Sequence, residues 1–146
     1  MGGIDMKCKE LQIGDWVQDH NGFPIQIMTV GEDYAYATFE GNEGDPWEFN
    51  DKDDQPCAIE ITEDILKENK WEVQGYTLLQ SEHYYVKDEN GNHLLWSHGT
   101  LSIWLACGES DEGVFSDVVL PCKYVHQIQQ ALRLAGLSDI ADNFKV

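Results

Sequence analysis

Over the first third of the chain, apolar and polar positions alternate in short runs, the period expected of β-strands with one covered and one wet face. From Leu11 the chain reads Leu-Gln-Ile-Gly-Asp-Trp-Val-Gln-Asp-His-Asn-Gly-Phe-Pro-Ile-Gln-Ile-Met-Thr-Val, two such runs parted by Asn21-Gly22. Both residues of an Asn-Gly pair tolerate a left-handed backbone, so a hairpin is predicted there. Order is expected to begin at Glu10, with residues 1–5 frayed. Ile25, Ile27 and Thr29 alternate with Gln26, Met28 and Val30, and a third strand is predicted over 34–39 after the turn residues Gly31, Glu32 and Asp33. Residues 40–54, with Gly41, Gly44, Pro46 and many acids, break the pattern and predict a long polar loop. Trp47 and Phe49 sit inside that stretch. Large rings are seldom left in water, so they are expected to fold back over the sheet or to form part of a binding surface.

The middle of the chain changes period. Ile59 and Ile61 end a short strand, Thr62 suits a helix N-cap, and Glu63 and Asp64 suit the first turn, where the helix dipole favours negative charge. A helix of about three turns or less is predicted from there to Trp71. Strands follow over 76–79, 83–87, 93–96, 101–107 and 114–120, with Asn90-Gly91 marking a hairpin. Their connections are too short for parallel crossovers, which predicts an antiparallel meander. Beyond Pro121, read as a first-turn residue, Val125, Ile128, Leu132 and Ala135 fall three and four apart on one helical face, and Gly136 can close the helix. Gln127, Gln129, Gln130 and Arg133 are placed on the opposite face, and the tail over 138–146, with Ile140 and Phe144, is expected to dock.

These elements make an α+β chain. The segment Leu-x-Ile-Gly-Asp-Trp-Val followed by a glycine turn resembles the opening of SH3-like barrels. The resemblance implies an N-terminal SH3-like small β-barrel or bent sheet over residues 1–58. An α+β unit of helix, antiparallel meander and C-terminal helix is expected over 59–146.

Composition narrows the function. Of 146 residues, 42% are apolar and 11% aromatic, enough to bury a core. Nine basic residues against 27 acidic ones give a formal charge of −18, a field that repels phosphate backbones. Direct nucleic-acid binding is therefore not expected. Basic protein surfaces, cations and nucleic-acid-binding proteins remain as partners. Cys8, Cys57, Cys107 and Cys122 are scattered without the C-x-x-C spacing of a zinc loop. With no apolar leader at the start, reduced thiols and a cytoplasmic location are expected. No run approaches the ~20 apolar residues of a membrane span.

Candidates for chemistry are few. His83, His93 and His98, with Cys107, would need their strands to bring them together around a metal, and no H-x-H or H-x-x-x-H pair is present. Ser97-His98 lacks the strained turn of an activated nucleophile and, on a strand, would point to opposite faces. Asp51-Lys-Asp53-Asp54 and Asp88-Glu-Asn90-Gly-Asn92 space oxygen ligands at intervals of two, but lack the glycine and glutamate that complete an EF-hand loop. Gly41-Asn-Glu-Gly44-Asp carries carboxylates where a phosphate cradle needs none. No enzyme activity, cofactor or metal is expected.

The segments Glu-Leu-Gln-Ile-Gly-Asp-Trp-Val, Ile-Glu-Ile-Thr-Glu-Asp-Ile-Leu and Lys-Tyr-Val-His-Gln-Ile-Gln-Gln-Ala-Leu-Arg-Leu-Ala-Gly, in that order, resemble a group of short uncharacterised proteins from gut bacteria, their phages and other mobile elements. The resemblance implies an accessory protein with no functional residues to carry over. The function expected is a non-enzymatic interaction module. It would hold a protein partner on an aromatic surface of Tyr34, Tyr36, Trp47 and Phe49, with Trp16 assigned to the core. The alternative is an acidic mimic of nucleic acid that inhibits a host DNA-binding protein.

Overall fold

Strand pairing in the first part of the chain follows from which residues can be buried together. The computed structural model describes residues 6–38, 44, 46–52, 55–76, 81–87, 93–97, 101–106 and 119–146. The chain divides into two units: Met1–Glu60 with Tyr124–His126 and Val146, and Ile61–Lys123 with Gln127–Lys145.

In the first unit a 3-10 turn at Cys8–Glu10 precedes four strands, β1 (Trp16–Gln18), β2 (Pro24–Val30), β3 (Tyr34–Thr38) and β4 (Trp47–Asn50). They pair antiparallel in the order β1-β2-β3-β4. The Asn-Gly connection is longer than a two-residue turn. The Asp19 carboxylate organises it by accepting the N–H groups of Asn21 and Phe23, both at 2.9 Å, while Gly22 adopts φ 85°. The β2–β3 register shifts between Ile27 and Thr29, an irregularity of the kind that bends a strand and adds twist. Among the described residues no ladder joins β4 back to β1, so the sheet does not close into a barrel.

The core of this unit gathers Val17, Ile25, Ile27, Ala35, Ala37, Phe49 and Ala58 with Met6, Cys8 and Leu11. Two sequence expectations are corrected. Order starts before Glu10, because Met6 and Cys8 carry buried side chains. The expected loop over 40–54 contains β4. Trp47 and Phe49 alternate with Glu48 and Asn50 and lie across from Ala37 and Ala35, the two small residues that make room for them. The glycine, proline and acid content of the segment masked a four-residue alternation that tertiary pairing uses.

In the second unit, α1 (Glu63–Glu68) starts on Thr62, whose Oγ1 accepts the Ile65 N–H at 3.2 Å. It ends where Lys70 turns into the left-handed region at φ 63° and the Trp71 N–H reaches back to the Leu66 carbonyl at 3.0 Å. The strands β5 (Glu72–Tyr76), β6 (Ser81–Lys87), β7 (His93–Ser97), β8 (Ser102–Ala106) and β9 (Val119–Pro121) form an antiparallel meander in chain order. β5 begins four residues earlier than expected, and residues 77–79 and 114–118 of the expected strands lie outside the described residues. Leu94, Leu95, Trp96 and Ser97 are all buried, so β7, third of the five strands, is covered on both faces. The Trp96 indole N–H donates to the Cys122 carbonyl at 2.9 Å.

Pro121 ends β9 and does not open a helix; α2 runs Val125–Leu134. Ile128, Leu132 and Ala135 are buried as their spacing predicts, and Gly136 takes φ 84° past the helix end. Gln129, expected on the wet face, is instead fully buried. Its amide N–H donates at 3.3 Å to the Ala141 carbonyl in α3 (Ser138–Asp142). Ala141 and Phe144 are buried, which docks the tail. Among the described residues no helix is long and apolar enough to cross a membrane.

Phe49→Ala should lower stability by about 3 kcal/mol or more in urea denaturation, as loss of a buried ring does. Tyr34→Ala, on the opposite face, should cost under about 1 kcal/mol.

Candidate interaction surface

Antiparallel partners share a face, so the register of the first sheet sorts its side chains. Val17, Ile25, Ile27, Ala35, Ala37, Trp47 and Phe49 take the core side. On the other side, one row runs Trp16, Gln26, Thr38 and the next runs Thr29, Tyr36, Glu48, with Tyr34 paired to Asn50.

The four aromatic residues expected to share a surface are thus split two and two. Tyr34 and Tyr36 lie on the outer face with ring centroids 5.9 Å apart and planes at 79°, an edge-to-face pair. Trp47 and Phe49 pack against each other on the core side at 5.4 Å. Phe49, at 1% exposure, is a core residue and not a contact residue. Trp47 is half-buried and packed on the core. Trp16, assigned to the core from sequence, is half-buried on the outer face, because Val17 takes the inward position beside it.

Tyr34 is 41% exposed, and its ring packs over Gly31. Gly31 lies under its ring so closely that a Cβ there would come within 2.2 Å of the ring carbon Cε1. The Gly31 N–H also donates to the Tyr34 carbonyl at 2.8 Å. Directly across the ladder from Tyr36, Glu48 is exposed and shares a hydrogen bond with the phenol. The Glu48 charge, aided by desolvation, raises the Tyr36 phenol above its ordinary value. Met28, at the register shift, is also exposed.

Asp15, Asp19 and Asp51 of this unit accept backbone N–H groups. Asp51 Oδ1 accepts the Cys8 N–H at 2.7 Å, and that bond holds its carboxyl below the usual value. Asp15, fully buried, accepts the Gln12 N–H at 2.8 Å. Burial and the neighbouring Asp51 push the Cys8 thiol up to about 12, and burial alone pushes Cys122 of the second unit to about 12. Burial thus disfavours both thiolates at neutral pH. His126 is buried beside the Tyr124 ring, its Nδ1 has no hydrogen-bond partner, and desolvation lowers its pKa against the raising effect of Asp15 and Glu10.

Of the histidines considered for a metal, His83 pairs with Ser97 and His93 with Lys87. That places their backbones four rungs apart along the β6–β7 ladder, roughly 13 Å. His98 and Cys107 lie outside the described residues. Among the described residues no group of three or more His, Cys, Asp or Glu side chains could hold a metal. An open cleft of about 440 Å³ in the second unit is lined by Glu68, Lys70, Asp139, Asn143 and Lys145, among others. Its asparagine amides are spent on backbone groups: Asn69 bonds both the N–H and the carbonyl of Lys145, and Asn143 bonds the Asp139 carbonyl. In comparisons with protein-family models, curated proteins and solved structures, nothing matches this chain.

Two measurements check these electrostatics. In ultraviolet titration, the phenol lost in Tyr36→Phe should titrate above the ordinary tyrosine range in the parent, and Glu48→Gln should bring it down. His126 has a folded pKa below its unfolded value, so its contribution to stability is full above about pH 6.5 and is lost as pH falls through the folded pKa. His126→Gln should therefore gain stability relative to the parent as denaturation is repeated from pH 7 down to pH 5, and a flat difference would contradict the assignment.

Proposed function

We propose that this chain is a non-enzymatic interaction module that holds a basic protein partner on the outer face of its first sheet. The observation that carries the reading is the exposed Tyr34 ring, seated on Gly31 and edged by Tyr36, with Glu48 across the ladder from Tyr36. A large ring with few rotatable bonds that already packs on its own sheet loses little conformational entropy on contact, which is why such rings serve as anchors in protein interfaces. The −18 formal charge favours a basic partner and speeds encounter with it. The reading takes the first unit as an SH3-like bent sheet, supported by its consecutive short antiparallel strands and the register shift at Met28. It also takes the chain as an accessory protein of a phage or mobile element, supported by the sequence resemblance.

The test is affinity capture from a bacterial lysate with the parent, with Tyr34→Ser/Tyr36→Ser, and with Phe23→Ser as an exposed control outside the face. The expected result is a discrete partner retained by the parent and by the control and lost with the double variant. A nucleic-acid mimic would instead retain DNA-binding proteins regardless of the tyrosines and release them as salt rises.

A further inference from the structure

Charge is segregated along the chain in a way that defines what this face can take. No lysine or arginine stands between Lys9 and Lys52, and that interval supplies all four strands of the first sheet. A cation arriving at the outer face meets no fixed side-chain cation on those strands. It meets Glu48 on the face, with Glu32 and Asp33 exposed in the β2–β3 turn.

The two chemistries at the face are matched to each other. Glu48 is directly across from Tyr36 and diagonal to Tyr34, whose own cross-strand partner is Asn50. Diagonal neighbours lie roughly 7 Å apart at the backbone. The Tyr34 ring leans over Gly31 on the β2 side of β3, so a planar cation stacked on it reaches the Glu48 carboxylate across the Tyr36 ring. The Glu48 carboxylate also faces the Tyr36 phenol, and the Tyr34 ring packs over Gly31.

We propose that the outer face binds an arginine side chain presented by an extended segment of a basic protein, with the guanidinium on Tyr34 and an N–H donated to Glu48. This deepens the interaction-module reading and rests on it. Arginine suits the site better than lysine because its charge is planar, weakly hydrated and forked, so it can stack and donate at once. An ammonium is a compact, strongly hydrated point charge and can satisfy only one of the two groups well.

The experiment titrates the intact chain with a fluorescent Arg-Gly-Ser repeat peptide and its Lys-Gly-Ser counterpart of equal charge, at about 0.15 M salt. Expected are tighter binding of the arginine peptide by about fivefold and a loss of about three- to tenfold in Tyr34→Ser and in Glu48→Gln, with Phe23→Ser unchanged. Amide shifts in a nitrogen-15 spectrum, which also report folding of each variant, should concentrate at Thr29, Tyr34, Tyr36 and Glu48. Equal affinity for the two peptides, indifference to Tyr34→Ser, or shifts spread over the acidic surface would overturn the proposal. If lysate capture depends on Tyr34 while the peptides are not distinguished, the guanidinium assignment falls and the module reading stands; if neither depends on Tyr34, both fall.

Discussion

The two-residue period of the β3–β4 ladder governs the first unit. Ala35 and Ala37 are small enough to let Phe49 and Trp47 lie across from them on the core side. Once those four positions point inward, Tyr34, Tyr36, Glu48 and Asn50 have to point outward, since a one-residue slip would exchange the two sets and bury a carboxylate. The same alternation therefore builds the core and displays the aromatic face. The absence of a side chain at Gly31 leaves the space over which the Tyr34 ring lies.

The acidity of this unit looks unfavourable until its carboxylates are followed to their partners. With no lysine or arginine on its strands, it has few ion pairs to draw on. Asp15, Asp19 and Asp51 instead accept backbone N–H groups from Gln12, from Asn21 and Phe23, and from Cys8. Charge-assisted bonds of this kind satisfy donors that tight turns would leave without partners, so negative charge is used as local structure. Glu48 differs in facing outward beside a phenol.

The mixed helix and sheet content was legible in the sequence wherever a local signal coincided with the tertiary answer. Thr62 capped its helix, the Ile128, Leu132 and Ala135 stripe was buried, and Gly136 closed α2, because caps and helical faces are set by near neighbours. The misses came where distant residues decided. β4 looked like a loop, since its alternation is only four residues long and its worth depends on two alanines a dozen positions away. Gln129 looked solvated, because only the docking of α3 supplies the Ala141 carbonyl that its amide requires. Pro121 suited a helix start by its fixed φ, but it equally ends a three-residue edge strand, where a missing N–H costs little. Of the four rings expected on one surface, Tyr34 and Tyr36 lie on the outer face, whereas the period that puts them outside sends Trp47 and Phe49 inside.

The positions of the cysteines have a practical consequence. Cys8 is buried in one unit and Cys122 in the other, each with a strongly disfavoured thiolate, while Cys57 is half-buried. An alkylating reagent can reach either buried sulfur only during an excursion that exposes it, so labelling followed site by site clocks the opening of each half of the same molecule separately. The chain thus carries its own pair of chemical stopwatches, with no probe to be engineered in.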